Sequence, residues 1–336
     1  MRAVVSTRFA LWPAVNLMAG GSELGHNPGV PPIKISLQAE PRNIGSWLSL
    51  ARRLESSGFE ALLVGDHPGS GASPWPALGA ATAGTTTLKL GTYVLQAGVR
   101  DPMQVASDAA TLDILAPGRV LLGLGAGHTF GEWAIRGAQR PSPADRAGRL
   151  EEFVDAVARL LDGDTVTTDG RYIRLVEGRL DELPTGRVQL VVGGGHPRVL
   201  RIAAARAKVV ALSGLGRTHP DGHRHDVRWS SAELHNQLGI IGKVSAGRAE
   251  GPDVEALVQV VTVTADRDQA LAELATRFSG VPVQDLNSTP YMLIGTITEM
   301  VDQLRRQAED FGITRYVVRE PALDTAAQII SLLNRL

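Results

Sequence analysis

The 336-residue chain contains no cysteine, which removes disulfides, thiolate nucleophiles and cysteine-bound zinc or iron–sulfur centres. Lysine is scarce: only Lys34, Lys89, Lys208 and Lys243 occur, and arginine carries nearly all the positive charge. The formal net charge is −1, so nothing in the total balance points to nucleic acid or an anionic membrane as partner. No segment offers the ~18 consecutive apolar residues of a membrane helix. There is no GxxxxGK[ST] phosphate loop, no GxSxG elbow and no Ser-His-Asp constellation. These absences exclude a P-loop NTPase and the commonest serine hydrolases.

What is present is core. Hydrophobic residues make up 43 % of the chain, enough for one large domain. The opening "MRAVVSTRFALWPAVNLMAGG" loosely imitates an export signal, but Trp12-Pro13 and Asn16 interrupt it; residues 1–32 are expected to form a flexible arm of a cytoplasmic protein. From Ile33 the chain alternates. Apolar runs at 33–39, 59–67, 88–96, 119–127, 188–194, 208–214, 256–264 and 314–320 read as strands. Helical patterns intervene at 44–58, 75–86, 102–116, 145–161, 197–207, 230–246, 266–278 and 297–311, and one more closes the chain at 323–335. Strands apolar without strict alternation are covered on both faces. Eight βα units predict a TIM (β/α)8 barrel over 33–336, with a doubly wound open sheet as the competing architecture.

In a barrel, chemistry gathers where strands end. The second run ends in Asp66 and His67, and an imidazole can donate or accept a proton near neutrality. The fourth ends in "GLGAGH", whose Gly125 and Gly127 would let a flat ligand approach the backbone, with His128 as a second proton donor. The fifth ends in Gly193, Gly194 and Gly195 before a helix, a turn suited to an anion held by main-chain amides. His219, His223 and His225 crowd one Pro/Gly loop, read as a solvated or mobile active-site loop rather than a metal site. Glu151 and Glu152 read as a solvated helix face.

Five stretches, "LARRLESSGFEALLVGDH", "TTTLKLGTYVL", "AATLDILAPGRVLLGLGAG", "LVVGGGHPRVLRIAAARA" and "STPYMLIGTITEMVDQLRRQAEDFGITRYVV", together resemble the bacterial luciferase-like monooxygenase superfamily. They are most similar to its deazaflavin branch, which uses coenzyme F420. The resemblance implies a TIM barrel with insertions, usually a homodimer, with a flat tricyclic ring at its mouth. It places Asp66 and His67 beside the ring, a non-proline cis peptide at Tyr93–Val94 behind it, Gly125 and Gly127 along its edge, and its phosphate tail at Gly193–Gly195.

Two departures stand out. Some relatives carry a proton-donating Glu directly after the GxGxG run, where this chain has His128. Relatives that oxidise sugar phosphates carry a Lys after the sixth strand's "SG", where this chain has Leu215, so a phosphorylated sugar is not expected. The implied activity is hydride transfer to or from a neutral organic substrate, an activated C=C or C=N bond or an alcohol, with His67 and His128 as acid/base groups. An FMN-dependent monooxygenase and a non-catalytic cofactor-binding barrel are the alternatives.

Overall fold

The computed structural model describes residues 4–6, 31–219, 224–278 and 280–335. Eight parallel strands close into a barrel in chain order: β1 (Lys34–Gln38), β2 (Ala61–Val64), β3 (Lys89–Gln96), β4 (Val120–Gly125), β5 (Gln189–Gly193), β6 (Val209–Leu212), β7 (Asp253–Leu257) and β8 (Ile313–Arg319). β8 pairs with β1, so the ring has no free edge. This is the expected TIM barrel and not the open sheet.

The period-2 geometry of a strand sorts apolar side chains into two cores. Ala61, Leu63, Leu121, Val191, Val209, Ala211 and Val317 point into the barrel. Their neighbours Leu62, Val64, Leu122, Val192, Val210 and Val318 face the surrounding helices. The amino-terminal end of the barrel is closed by charge. Lys89 Nζ lies 2.7 Å from Glu60, and buried Arg315 lies 3.6 Å from both Glu60 and Glu255.

Side-chain caps start several helices, some of them directly before a proline. Asp101 accepts from the amides of Met103 and Gln104 ahead of helix Pro102–Leu115, and Ser142 accepts from the Asp145 amide ahead of helix Pro143–Leu161. Thr296 and Glu299 form a reciprocal capping box on helix Ile297–Phe311, which stops at Gly312 in the left-handed conformation.

Three details differ from the sequence reading. The run 256–264 is not one strand: β7 ends at Leu257, and Val260–Val263 pairs outside the barrel with Met292–Gly295. The amides of Gln259 and Val260 both turn to Tyr291 O, which breaks the run. Residues 217–226 are not simply a loop. Leu215–Thr218 and Arg224–Val227 form an antiparallel pair, extended on its outer side by Val4–Ser6; His223 lies outside the described residues. Glu152 is no solvated charge, since its carboxylate accepts from the amides of Arg171, Tyr172 and Ile173 and anchors the turn of hairpin Val166–Asp169/Arg174–Gly178.

Candidate active site

All eight strands are parallel, so Asp66, His67, Gln96, His128 and Gly193–Gly195 lie at or just after strand ends on the same rim. Part of this rim is shaped by a bulge in β3. The Tyr93–Val94 peptide is cis, and the β3–β4 register shifts between Thr92 and Leu95. At the bulge the Thr92 hydroxyl takes over the ladder, accepting from Gly123 N at 2.9 Å and donating to Gly123 O at 3.0 Å.

The bulge also accounts for some of the glycines. A Cβ on Gly125 would sit 2.6 Å from Val94 Cγ2, and one on Gly193 would sit 3.3 Å from Val94 Cγ1. Gly127, at φ +75°, would meet Gln96 Cγ at 2.4 Å. Side chains of β3 therefore occupy the space that these glycines leave. The sequence reading had expected a flat ligand to approach the backbone at Gly125 and Gly127.

Asp66 is buried and committed. Its carboxylate accepts from the Gln96 amide at 3.1 Å and forms a forked ion pair with Arg100, which holds that guanidinium above its ordinary pKa. The fork ties the end of β2 to the segment after β3. Gln96 itself is only 3 % exposed, yet neither atom of its side-chain amide has a hydrogen-bond partner among the described residues. A buried amide left unpaired costs free energy of order 1–3 kcal/mol, so its place at the rim marks it for a bound polar group.

His67 is half exposed, and its Nδ1 lies 2.7 Å from Oε1 of buried Glu132. That carboxylate raises the imidazole pKa above its ordinary 6.5 and favours the charged ring. Glu132 stands on the short helix Phe130–Ala134, whose role the sequence reading did not foresee; its signal is the acid five residues after Gly127 in "GHTFGE".

His128 lies edge-on to His67, with ring centres 5.9 Å apart. Its pKa goes the other way, pushed down to about 3 by the protein packed around it and then by its basic neighbours His225, His67, Arg140 and Arg146. His128 is nevertheless exposed as a residue, so solvent reaches it. His225, buried on the strand Arg224–Val227, stacks obliquely on His128 at 5.1 Å. The mouth thus holds two imidazoles of opposite tuning backed by a third. Among the described residues no group of three or more His, Asp or Glu is placed to hold a metal ion.

At the triple-glycine turn, Gly194 donates its amide to Ala211 O at 3.0 Å and, at φ +152°, leaves room for Val199. Gly195 lies against Gln237, whose carbonyl oxygen is buried and unpartnered. Helix Pro197–Arg206 follows, capped by His196, which accepts from the Arg198 amide.

With this geometry in place, comparison with known proteins decides the family. The model of the luciferase-like monooxygenase family matches residues 30–313. The chain belongs to that family. An F420-dependent glucose-6-phosphate dehydrogenase of Beutenbergia cavernae is 35 % identical over 257 residues, covering 71 % of this chain and 69 % of that protein. Two solved structures share the luciferase-like fold. An F420-dependent secondary alcohol dehydrogenase in complex with an F420-acetone adduct has a TM-score of 0.69 at 20 % identity, over 91 % of this chain and 98 % of that one. The coenzyme F420 dependent tetrahydromethanopterin reductase of Methanopyrus kandleri has 0.68 at 17 %, over 89 % and 97 %. Within the luciferase-like frame, the residues that sequence reasoning missed are Glu132, Gln96 and Arg100, while His225, read only as part of an active-site loop, packs against His128.

Proposed function

We propose that this chain is a coenzyme F420-dependent oxidoreductase that transfers a hydride to or from a neutral organic substrate, either an activated C=C or C=N bond or an alcohol. The observation that carries the reading is the pair His67 and His128: two imidazoles at the barrel mouth whose surroundings push their pKa values apart. Such a split keeps one imidazole able to carry and give a proton while its neighbour stays neutral. The 35 % identical relative named as F420-dependent supports the choice of coenzyme.

The residues present fit that coenzyme. The orphaned Gln96 side-chain amide offers a donor and an acceptor for a ring edge, and the backbone at Gly195 before a helix start suits an anionic tail, whereas the Gly194 amide is already given to Ala211 O. When bound, the deazaflavin supplies a ring that carries a hydride. The protein's own groups manage the proton. Glu132 holds His67 by Nδ1, which leaves Nε2 to give its proton to a substrate heteroatom or carbon on reduction, or, when bare, to take one up on oxidation. His128, held uncharged, serves as a neutral hydrogen-bonding imidazole at the mouth. Asp66 fixes the loop beneath them through Arg100. Family membership carries with it the expectation of a homodimer.

The test is anaerobic reoxidation of reduced coenzyme F420 against a panel of enones, imines and ketones. Saturable turnover with an organic acceptor is expected, and His67→Ala should lower it ~100-fold. Near-normal turnover of His67→Ala would reject that residue's role. Oxygen-dependent turnover of reduced FMN would install the monooxygenase reading, and binding without turnover the non-catalytic one.

A further inference from the structure

The turn that follows β3 is held from outside the barrel. Within residues 96–100 the Gln96 backbone amide goes to Asp66 and the Ala97 amide to Gly125 O. Arginines from two other elements take the carbonyls. Half-buried Arg149, on helix Pro143–Leu161, gives Nε to Ala97 O at 2.9 Å and Nη2 to Arg100 O at 3.1 Å. Its Nη1 reaches Tyr172 O at 2.8 Å. Arg136 gives Nη1 to Val99 O at 2.8 Å. A guanidinium presents its donors in a rigid planar fork, so three carbonyls on one arginine fix where the turn sits as well as its shape.

Two routes lead from this turn to His67. Arg100, at its end, forks onto Asp66, the residue before His67. Arg136 lies two residues beyond helix Phe130–Ala134, whose Glu132 holds His67 Nδ1 at 2.7 Å. The same helix leans on the turn through buried Trp133, for a Cβ on Gly98 would sit 2.4 Å from Trp133 Cζ2. His67 is faced by Glu132, Asp66, Glu40 and the His128 ring. The first two are the ones tied to the turn.

We propose that Arg149 is a positioning residue for His67, bracketing residues 97–100 so that Arg100 meets Asp66 and Glu132 meets the imidazole. This deepens the proposed function and rests on His67 handling a proton there. Charge and position make opposite predictions for it. Removing the Arg149 cation makes an imidazolium no harder to form, so charge alone raises the His67 pKa or leaves it in place. Loosening the bracket lets Glu132 and Asp66 draw away, which lowers that pKa towards 6.5.

A pH titration of the histidine rings by NMR, on the protein without coenzyme, reads the sign. His67 is assigned by the signal lost in His67→Gln. Arg149→Met should lower its pKa. Arg149→Lys, which keeps the charge and loses the fork, should lower it too, and serves alone if Arg149→Met does not fold. Glu55→Gln is the control for lost stability: Glu55 binds the amides of Thr86, Thr87 and Leu88 before β3, so its loss should lower Tm and leave His67 unmoved. In anaerobic turnover both Arg149 variants should lose kcat ~tenfold or more. A wild type without turnover, with the NMR shift present, would reject the coenzyme reading and leave the bracket standing. A His67 pKa at or above the wild-type value in the folded Arg149 variants, or an equal fall in Glu55→Gln, would overturn the proposal.

Discussion

Glu132→Gln isolates the acid/base tuning from the packing. The substitution keeps the shape of the buried side chain and removes the charge 2.7 Å from His67 Nδ1. A hydrogen bond to a charged group contributes about 1.5–3 kcal/mol. Because 39 % of the His67 side chain is exposed, screening reduces this to about 1 kcal/mol. The sign follows from the direction of the shift. Glu132 raises the His67 pKa in the folded state, so its stabilisation is complete below the unfolded value near 6.5 and is lost as pH rises through the folded value. The stability gap between wild type and Glu132→Gln should therefore be widest in mild acid and shrink in alkali. Activity should respond in step, with the alkaline limb of kcat/KM moving to lower pH in the variant. Urea unfolding and turnover measured from about pH 5 to 9 supply both readouts. A limb that stays in place while stability falls would make the pair merely structural and refute the reasoning.

His128 has the opposite sign. Its lowered pKa makes the unfolded chain bind the extra proton between about 6.5 and 3, so His128→Gln should gain stability relative to wild type as pH falls through that window, read as a growing difference in urea midpoint. Arg315→Met should cost about 3–5 kcal/mol, because it strands Glu255, 2 % exposed, inside the barrel; a calorimetric Tm measures it, and a neutral result would mean that the cluster is not paired. Gly127→Ala should cost about 2–4 kcal/mol, combining a left-handed backbone with a collision on Gln96, and should disturb the mouth enough to weaken coenzyme binding in a fluorescence titration.

The barrel was legible because each strand is a short apolar run closed by a turn, and a strand buried on both faces needs no alternation to be seen. The same property blurred the seventh strand: Val258 and Val260 look alike in sequence, and only the Tyr291 carbonyl, supplied from 31 residues beyond Val260, divides them. At the site, Asp66, His67 and His128 could be found because they follow strand ends. What each one touches could not. Arg100 and Glu132 reach them from elsewhere, and Val94 and Gln96 fill the space that the glycines made look vacant. The cis bond at Tyr93–Val94 came from family resemblance, since no propensity at those two residues announces it.

The central claim is that a deazaflavin coenzyme occupies this mouth. Its most direct test is a paired equilibrium titration of the purified apoprotein with coenzyme F420 and with FMN, followed by fluorescence. Saturable binding of coenzyme F420 at least tenfold tighter than FMN is the predicted result; tight FMN binding with no measurable binding of coenzyme F420 would contradict the account.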